Sequence, residues 1–113
     1  MNRHFNTVRI DMAALEHNLG QVKKLAGPRV RVMAVVKADA YGHGLVRVGL
    51  GLVRAGADSL GVMDLDEAVQ LRDAGVDIPV FILAGFEPEH CDEIAARDLT
   101  PFVYDLLPAK ALN

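Results

Sequence analysis

The sequence holds one cysteine, Cys91, and no tryptophan, and only 5% of its 113 residues are aromatic. A single cysteine excludes an internal disulfide and fits a reducing, cytoplasmic compartment. No apolar run approaches the roughly 18 residues of a membrane span. The opening residues, Met1-Asn2-Arg3-His4-Phe5-Asn6, lack the apolar core of a signal peptide. Neither sign of charge is massed into a block, and a net charge of -3 leaves no basic footprint for nucleic acid. His4, His17, His43 and His90 show no metal-ligand spacing, so no metal site is expected. These absences describe a soluble chain without a membrane, nucleic-acid or metal partner. Its length suits one small domain. A hydrophobic content of 51% is high at that size. It suits a segment of a larger globule whose strands are covered on both faces.

What is present is ordered as strands alternating with helices. Thr7 to Asp11 alternates like a short strand, and Asp11 can cap the helix that follows. Met12, Leu15, Leu19, Val22 and Leu25 form one apolar stripe, stopped by Gly27-Pro28. Val30 to Val36 reads as a buried parallel strand, and a helix over about 45 to 55 is weakened by Gly49 and Gly51. Leu60 to Met63 is a strand, and Asp64 to Glu67 resembles a capping box in which Glu67 reaches back to the cap residue. That helix stops at Gly75. Pro79 to Leu83 is a strand, Pro88 to Arg97 a helix, and Phe102 to Tyr104 a strand, with Tyr104 packing in the core. Asp105 starts a last helix. The class is α/β with parallel neighbours, either a doubly wound sheet or part of a (β/α)8 barrel; periodicity does not separate the two.

In both architectures the active site lies at the C-terminal ends of the strands. Lys37 stands there, directly after the Val-rich strand. Desolvation there disfavours the ammonium form and prepares an amine to condense with an aldehyde. The plainer reading is a strand-end lysine whose stem lies on apolar surface and whose head stays in water. Gly42 and Gly44 allow the following loop a tight turn, and Tyr41 offers a phenolic donor suited to phosphate. His43 is a donor, a ligand or an ordinary hydrogen-bonding residue.

The run Val32-Met33-Ala34-Val35-Val36-Lys37-Ala38-Asp39-Ala40-Tyr41-Gly42-His43-Gly44 resembles the cofactor-attachment signature of bacterial alanine racemases. Arg9-Ile10-Asp11, the Leu15 to Leu19 helix, Asp66-Glu67-Ala68 with Leu71-Arg72, and Pro79 to Leu83 agree with the same family. The resemblance implies that residues 1–113 are the N-terminal portion of a (β/α)8 barrel, roughly its first four βα units. Residues 1–11 would be a strand of a missing C-terminal β domain's sheet. It implies pyridoxal 5'-phosphate as cofactor, held by Lys37 as a Schiff base, with the cofactor ring as electron sink. Lys37 would then move the α-proton on one face of alanine. Tyr41 would bond the cofactor phosphate, and Val35 and Leu83 would touch the ring. The parent activity is interconversion of L- and D-alanine, supplying D-alanine for peptidoglycan, in a cytoplasmic homodimer. The second proton-transfer tyrosine and the arginine facing the pyridine nitrogen fall beyond Asn113, so this chain alone is expected to be inactive. Two other readings stand beside this one. They are a non-enzymatic pyridoxal-phosphate-binding barrel protein and an interaction module derived from a racemase.

Overall fold

The computed structural model describes residues 5–113, which leaves His4 and the first four positions of the expected N-terminal strand outside it. Residues 6–11 form no strand ladder, and Phe5 and Val8 are exposed. Helix α1 (Met12–Ala26) opens where Asp11 Oδ1 accepts the Ala14 N–H at 3.0 Å, and it ends at Gly27 with φ 89°. Four strands follow, β1 (Met33–Val35), β2 (Ser59–Val62), β3 (Val80–Ile82) and β4 (Thr100–Pro101). They are connected through α2 (Lys37–Tyr41), α3 (Leu45–Arg54), α4 (Leu65–Asp73), a 3-10 turn (Pro88–His90) and α5 (Cys91–Ala96). Helix α6 (Leu106–Leu112) closes the series, with Asp105 accepting the Leu106 N–H.

All three strand pairings are parallel and the spatial order is β1-β2-β3-β4. A doubly wound sheet reverses its order at a switch point, whereas a barrel winds in one direction. Four strands in unbroken sequence order are therefore the first half of a (β/α)8 barrel. The register aligns Val35 with Gly61 and Gly61 with Phe81. Alternation then sorts the side chains into two faces. Val36, Leu60, Val62, Val80 and Ile82 point to the helices and are buried with Leu45, Val48, Leu52, Ala68, Leu71 and Ile94. Val35 and Phe102 lie on the other face and are partly exposed.

Coverage on both faces is the expectation for the larger globule, and among the described residues only one face is covered. The shape agrees. The accessible surface is 7716 Å2, against roughly 6,100 Å2 that compact monomers of 12.2 kDa follow. The stripe of α1 is likewise half used, since Leu19 is buried while Val22 and Leu25 are exposed. Phe102 to Tyr104 lies past β4, although the Phe102 N–H still donates to Ile82 O at 2.8 Å. Tyr104 is not in the core: it is exposed, its hydroxyl donates to Leu83 O, and its ring lies 6.4 Å from that of Phe102.

Gly49 and Gly51, which weaken α3 as a helix, have a packing reason. A Cβ at Gly49 would stand 2.8 Å from Leu71 of α4, and one at Gly51 would stand 2.3 Å from Met12 of α1. Helix α3 thus approaches a neighbour closely on each side.

At the N-terminal ends of the strands, Asp58 joins α1 to β1. Its carboxylate accepts the Val32 N–H at 2.7 Å and meets the Lys23 ammonium at 3.4 Å, while Lys23 also donates to Gly56 O. The Val32 hydrogen bond first, then Lys23 and Arg31, hold the Asp58 carboxyl below its ordinary 3.8 against a desolvation effect that opposes them. A carboxyl depressed by folding contributes stability above its unfolded value and loses it as pH falls through the folded value. Urea midpoints measured from neutral pH downward should therefore fall more steeply below pH 3.8 in the wild type than in Asp58→Asn. Parallel pH profiles for the two proteins would remove Asp58 from the acid response.

Candidate functional site

The end of β1 leads directly into α2, and this turn is left-handed. Ala38, Asp39 and Ala40 have φ of 53°, 56° and 53°, and Tyr41 follows at 56°. Each L-residue held there costs about 1–2 kcal/mol, so the turn exists because its surroundings over-determine it. Asp39 is the hub. Its carbonyl accepts from Gly42 N at 3.1 Å and Gly44 N at 3.0 Å, and its Oδ1 accepts from Leu45 N at 2.8 Å at the start of α3. Gly42 and Gly44, at φ 85° and 97°, carry the chain out of the turn. His43 resolves as an ordinary hydrogen-bonding residue, its Nδ1 donating to Ala40 O at 3.0 Å.

A second clasp comes from the next βα loop. Asp64 caps α4 by accepting the Glu67 N–H at 3.1 Å, as the capping-box pattern predicts. The Glu67 carboxylate departs from that pattern. Instead of the cap residue's N–H it takes that of Met63 at 2.8 Å and, across the sheet edge, that of Asp39 at 3.4 Å. Sequence reasoning missed this link because it joins residues 28 apart.

Lys37 is the first residue of α2, at the C-terminal end of β1, and is partly exposed. The three ion pairs among the described residues use Lys23 and Arg97, so the Lys37 ammonium is left without a carboxylate partner there. Tyr41, four residues on, is 59% exposed. Val35 and Leu83 flank Gly61 on the open face of the sheet, where a Cβ at Gly61 would meet Leu83 Cδ1 at 3.2 Å and Met33 Sδ at 3.0 Å. The structure thus brings Lys37, Tyr41 and Val35 to one strand end and sets Leu83 two strands away. It does not enclose them. A cleft of about 160 Å3 is bordered by Val35, Ala40, Tyr41 and His43 but by neither Lys37 nor Leu83. That is below the roughly 300 Å3 of small-molecule pockets. No three His, Cys, Asp or Glu side chains gather as a metal site among the described residues. No helix there is long and apolar enough to cross a membrane.

A half-barrel of parallel strands with a lysine at the C-terminal end of its first strand, held by a strained turn, defines the class. Residues 10–113 match the family described as alanine racemase, N-terminal domain, and the chain belongs to that family. It is 48% identical over 107 residues to an alanine racemase of Synechocystis, covering 94% of this chain and 29% of that relative. The alanine racemase structure from Corynebacterium glutamicum superposes with a TM-score of 0.84 at 41% identity, over 92% of this chain and 30% of that one. A histidine racemase from Leuconostoc mesenteroides superposes with a TM-score of 0.82 at 34% identity, over 89% of this chain and 27% of that one. The chain spans less than a third of the length of these relatives.

Proposed function

We propose that this chain is the cofactor-holding part of a pyridoxal-phosphate-dependent racemase that interconverts L- and D-alanine. The observation that carries the reading is Lys37 at the end of β1, an amine without a carboxylate partner among the described residues, at the start of a left-handed turn. The donor set suits the cofactor: an amine for its aldehyde, a phenol for its phosphate, and apolar Val35 and Leu83 beside a glycine floor for its ring. When bound, pyridoxal phosphate supplies a conjugated ring that spreads the charge left at the substrate's Cα.

The chain's own residues do the rest. Lys37 Nζ would hold the cofactor through its aldehyde and would carry the α-proton on one face of the amino acid. Tyr41 Oη donates a hydrogen bond to phosphate. Val35 and Leu83 keep water from one side of the ring. The described residues form four of a barrel's eight strands, so the chain by itself is not expected to racemise alanine. Residues 5–11 would join the sheet of a β-rich second domain, a reading supported by the uncovered Phe5 and Val8. The whole protein works as a cytoplasmic homodimer that supplies D-alanine for peptidoglycan.

The test is incubation with pyridoxal phosphate, borohydride reduction and peptide mapping. Selective labelling of Lys37 over Lys23, Lys24 and Lys110 is the expected result, and equal labelling of all four lysines sinks the reading. Substrate identity needs a second assay, because a neighbour of nearly equal structural similarity is named a histidine racemase. Solvent exchange of the α-proton by the complete gene product should be faster with alanine than with histidine.

A further inference from the structure

We propose that Glu67 is a positioning residue for the cofactor lysine, its carboxylate clamping the left-handed turn after Lys37 to the end of β2. This inference rests on the reading of Lys37 given above. Glu67 sits at the third position of α4, and its role in that helix needs only one of its oxygens, the one that accepts from Met63 N at 2.8 Å. The other oxygen leaves its own element and accepts from Asp39 N at 3.4 Å. Asp39 stands midway between Lys37 and Tyr41, in the centre of the strained segment, and its own carboxylate already caps α3.

One ionised side chain therefore ties together two neighbouring βα loops, those after β1 and β2. Because the turn is held against its intrinsic preference, each contact that fixes it also fixes the direction in which Lys37 and Tyr41 leave the backbone. The Met63 contact, at 2.8 Å, has the length of a strong bond to a carboxylate, and the Asp39 contact, at 3.4 Å, is a longer second tie between the two loops.

Glu67→Gln separates the two contacts. The amide oxygen can still accept from Met63 N, but the amide NH2 then faces the Asp39 N–H, donor against donor. The expected result is about tenfold faster hydrogen exchange at the Asp39 amide and about tenfold faster loss of unreduced pyridoxal phosphate from the chain. The circular dichroism of the bound cofactor should weaken, since that signal reports fixed orientation, while borohydride still marks Lys37. Asp11→Ala is the control: it removes the cap of α1 and should lower thermal stability without altering cofactor loss or dichroism. If Glu67→Gln matches the wild type in cofactor loss and dichroism, or if Asp11→Ala loosens the cofactor as much, Glu67 is not a positioning residue. A wild-type chain that labels all its lysines equally overturns the cofactor reading itself, and this inference with it.

Discussion

Lys37→Ala abolishes the borohydride-fixed attachment of pyridoxal phosphate while leaving the unfolding transition almost unmoved. The two halves of that expectation have separate causes. Lys37 is partly exposed and its ammonium takes part in none of the ion pairs among the described residues, so its removal breaks no ion pair of the fold. Substitutions of this kind fall within about 0.5 kcal/mol. Attachment, by contrast, requires a primary amine at the strand end, and the other lysines do not replace it. Lys23 is engaged with Gly56 O and Asp58, and Lys24 and Lys110 lie in the last turns of α1 and α6. Lys37→Arg separates charge from nucleophilicity. It keeps the cation but offers no amine able to condense, so it should be as silent as alanine. Persistent labelling at wild-type level in either variant would move the site away from β1.

Much of this was legible in the sequence, and the boundary between legible and hidden is physical. The alternation of strands and helices was readable because the face turned to the helices must be apolar at every second residue, as Val36, Leu60, Val62 and Ile82 are. Caps were readable because Asp11, Asp64 and Asp105 bond backbone within three residues of themselves. The choice between a barrel and a doubly wound sheet was not readable from periodicity, since each βα unit has the same local pattern and only the order of neighbours differs. The open face was hidden for a related reason. Val35, Phe81 and Leu83 are apolar whether or not anything covers them, so the sequence reads as if both faces were buried. The left-handed turn was announced only by Gly42 and Gly44. Of the four residues that carry the strain, Ala38, Ala40 and Tyr41 belong to types that rarely adopt it, and Asp39 alone has a local preference. The Glu67 link needed the register of β1 against β2, which no local rule provides.

Arg72 is the clearest case of a residue whose weight lies in long-range geometry, and Arg72→Ala should be strongly destabilising. From the last turn of α4 its guanidinium donates to four carbonyls: Val76 and Ile78 at 2.8 Å each, Arg97 at 2.9 Å and Asp98 at 2.7 Å. The first two lie in the segment entering β3, and the other two lie in the segment entering β4. One side chain thus fixes the approach of two neighbouring strands, including the positive-φ residue Asp98 at 50°. Hydrogen bonds to a charged group contribute about 1.5–3 kcal/mol each but do not add when they share a donor. A loss of about 3 kcal/mol is the expected outcome, read as a fall in Tm of roughly 12–24 °C at the 4–8 °C per kcal/mol of a domain this size. Arg72→Lys should recover less than half of it, because an ammonium has three donors at one point and cannot span both loops. The site lies at the N-terminal ends of the strands, opposite Lys37, so Lys37 labelling per folded molecule should survive both substitutions. A loss below about 1 kcal/mol in Arg72→Ala would mean the two loops are held by their own turns. Selective loss of Lys37 labelling in a variant that remains folded would mean the two ends of the half-barrel are coupled.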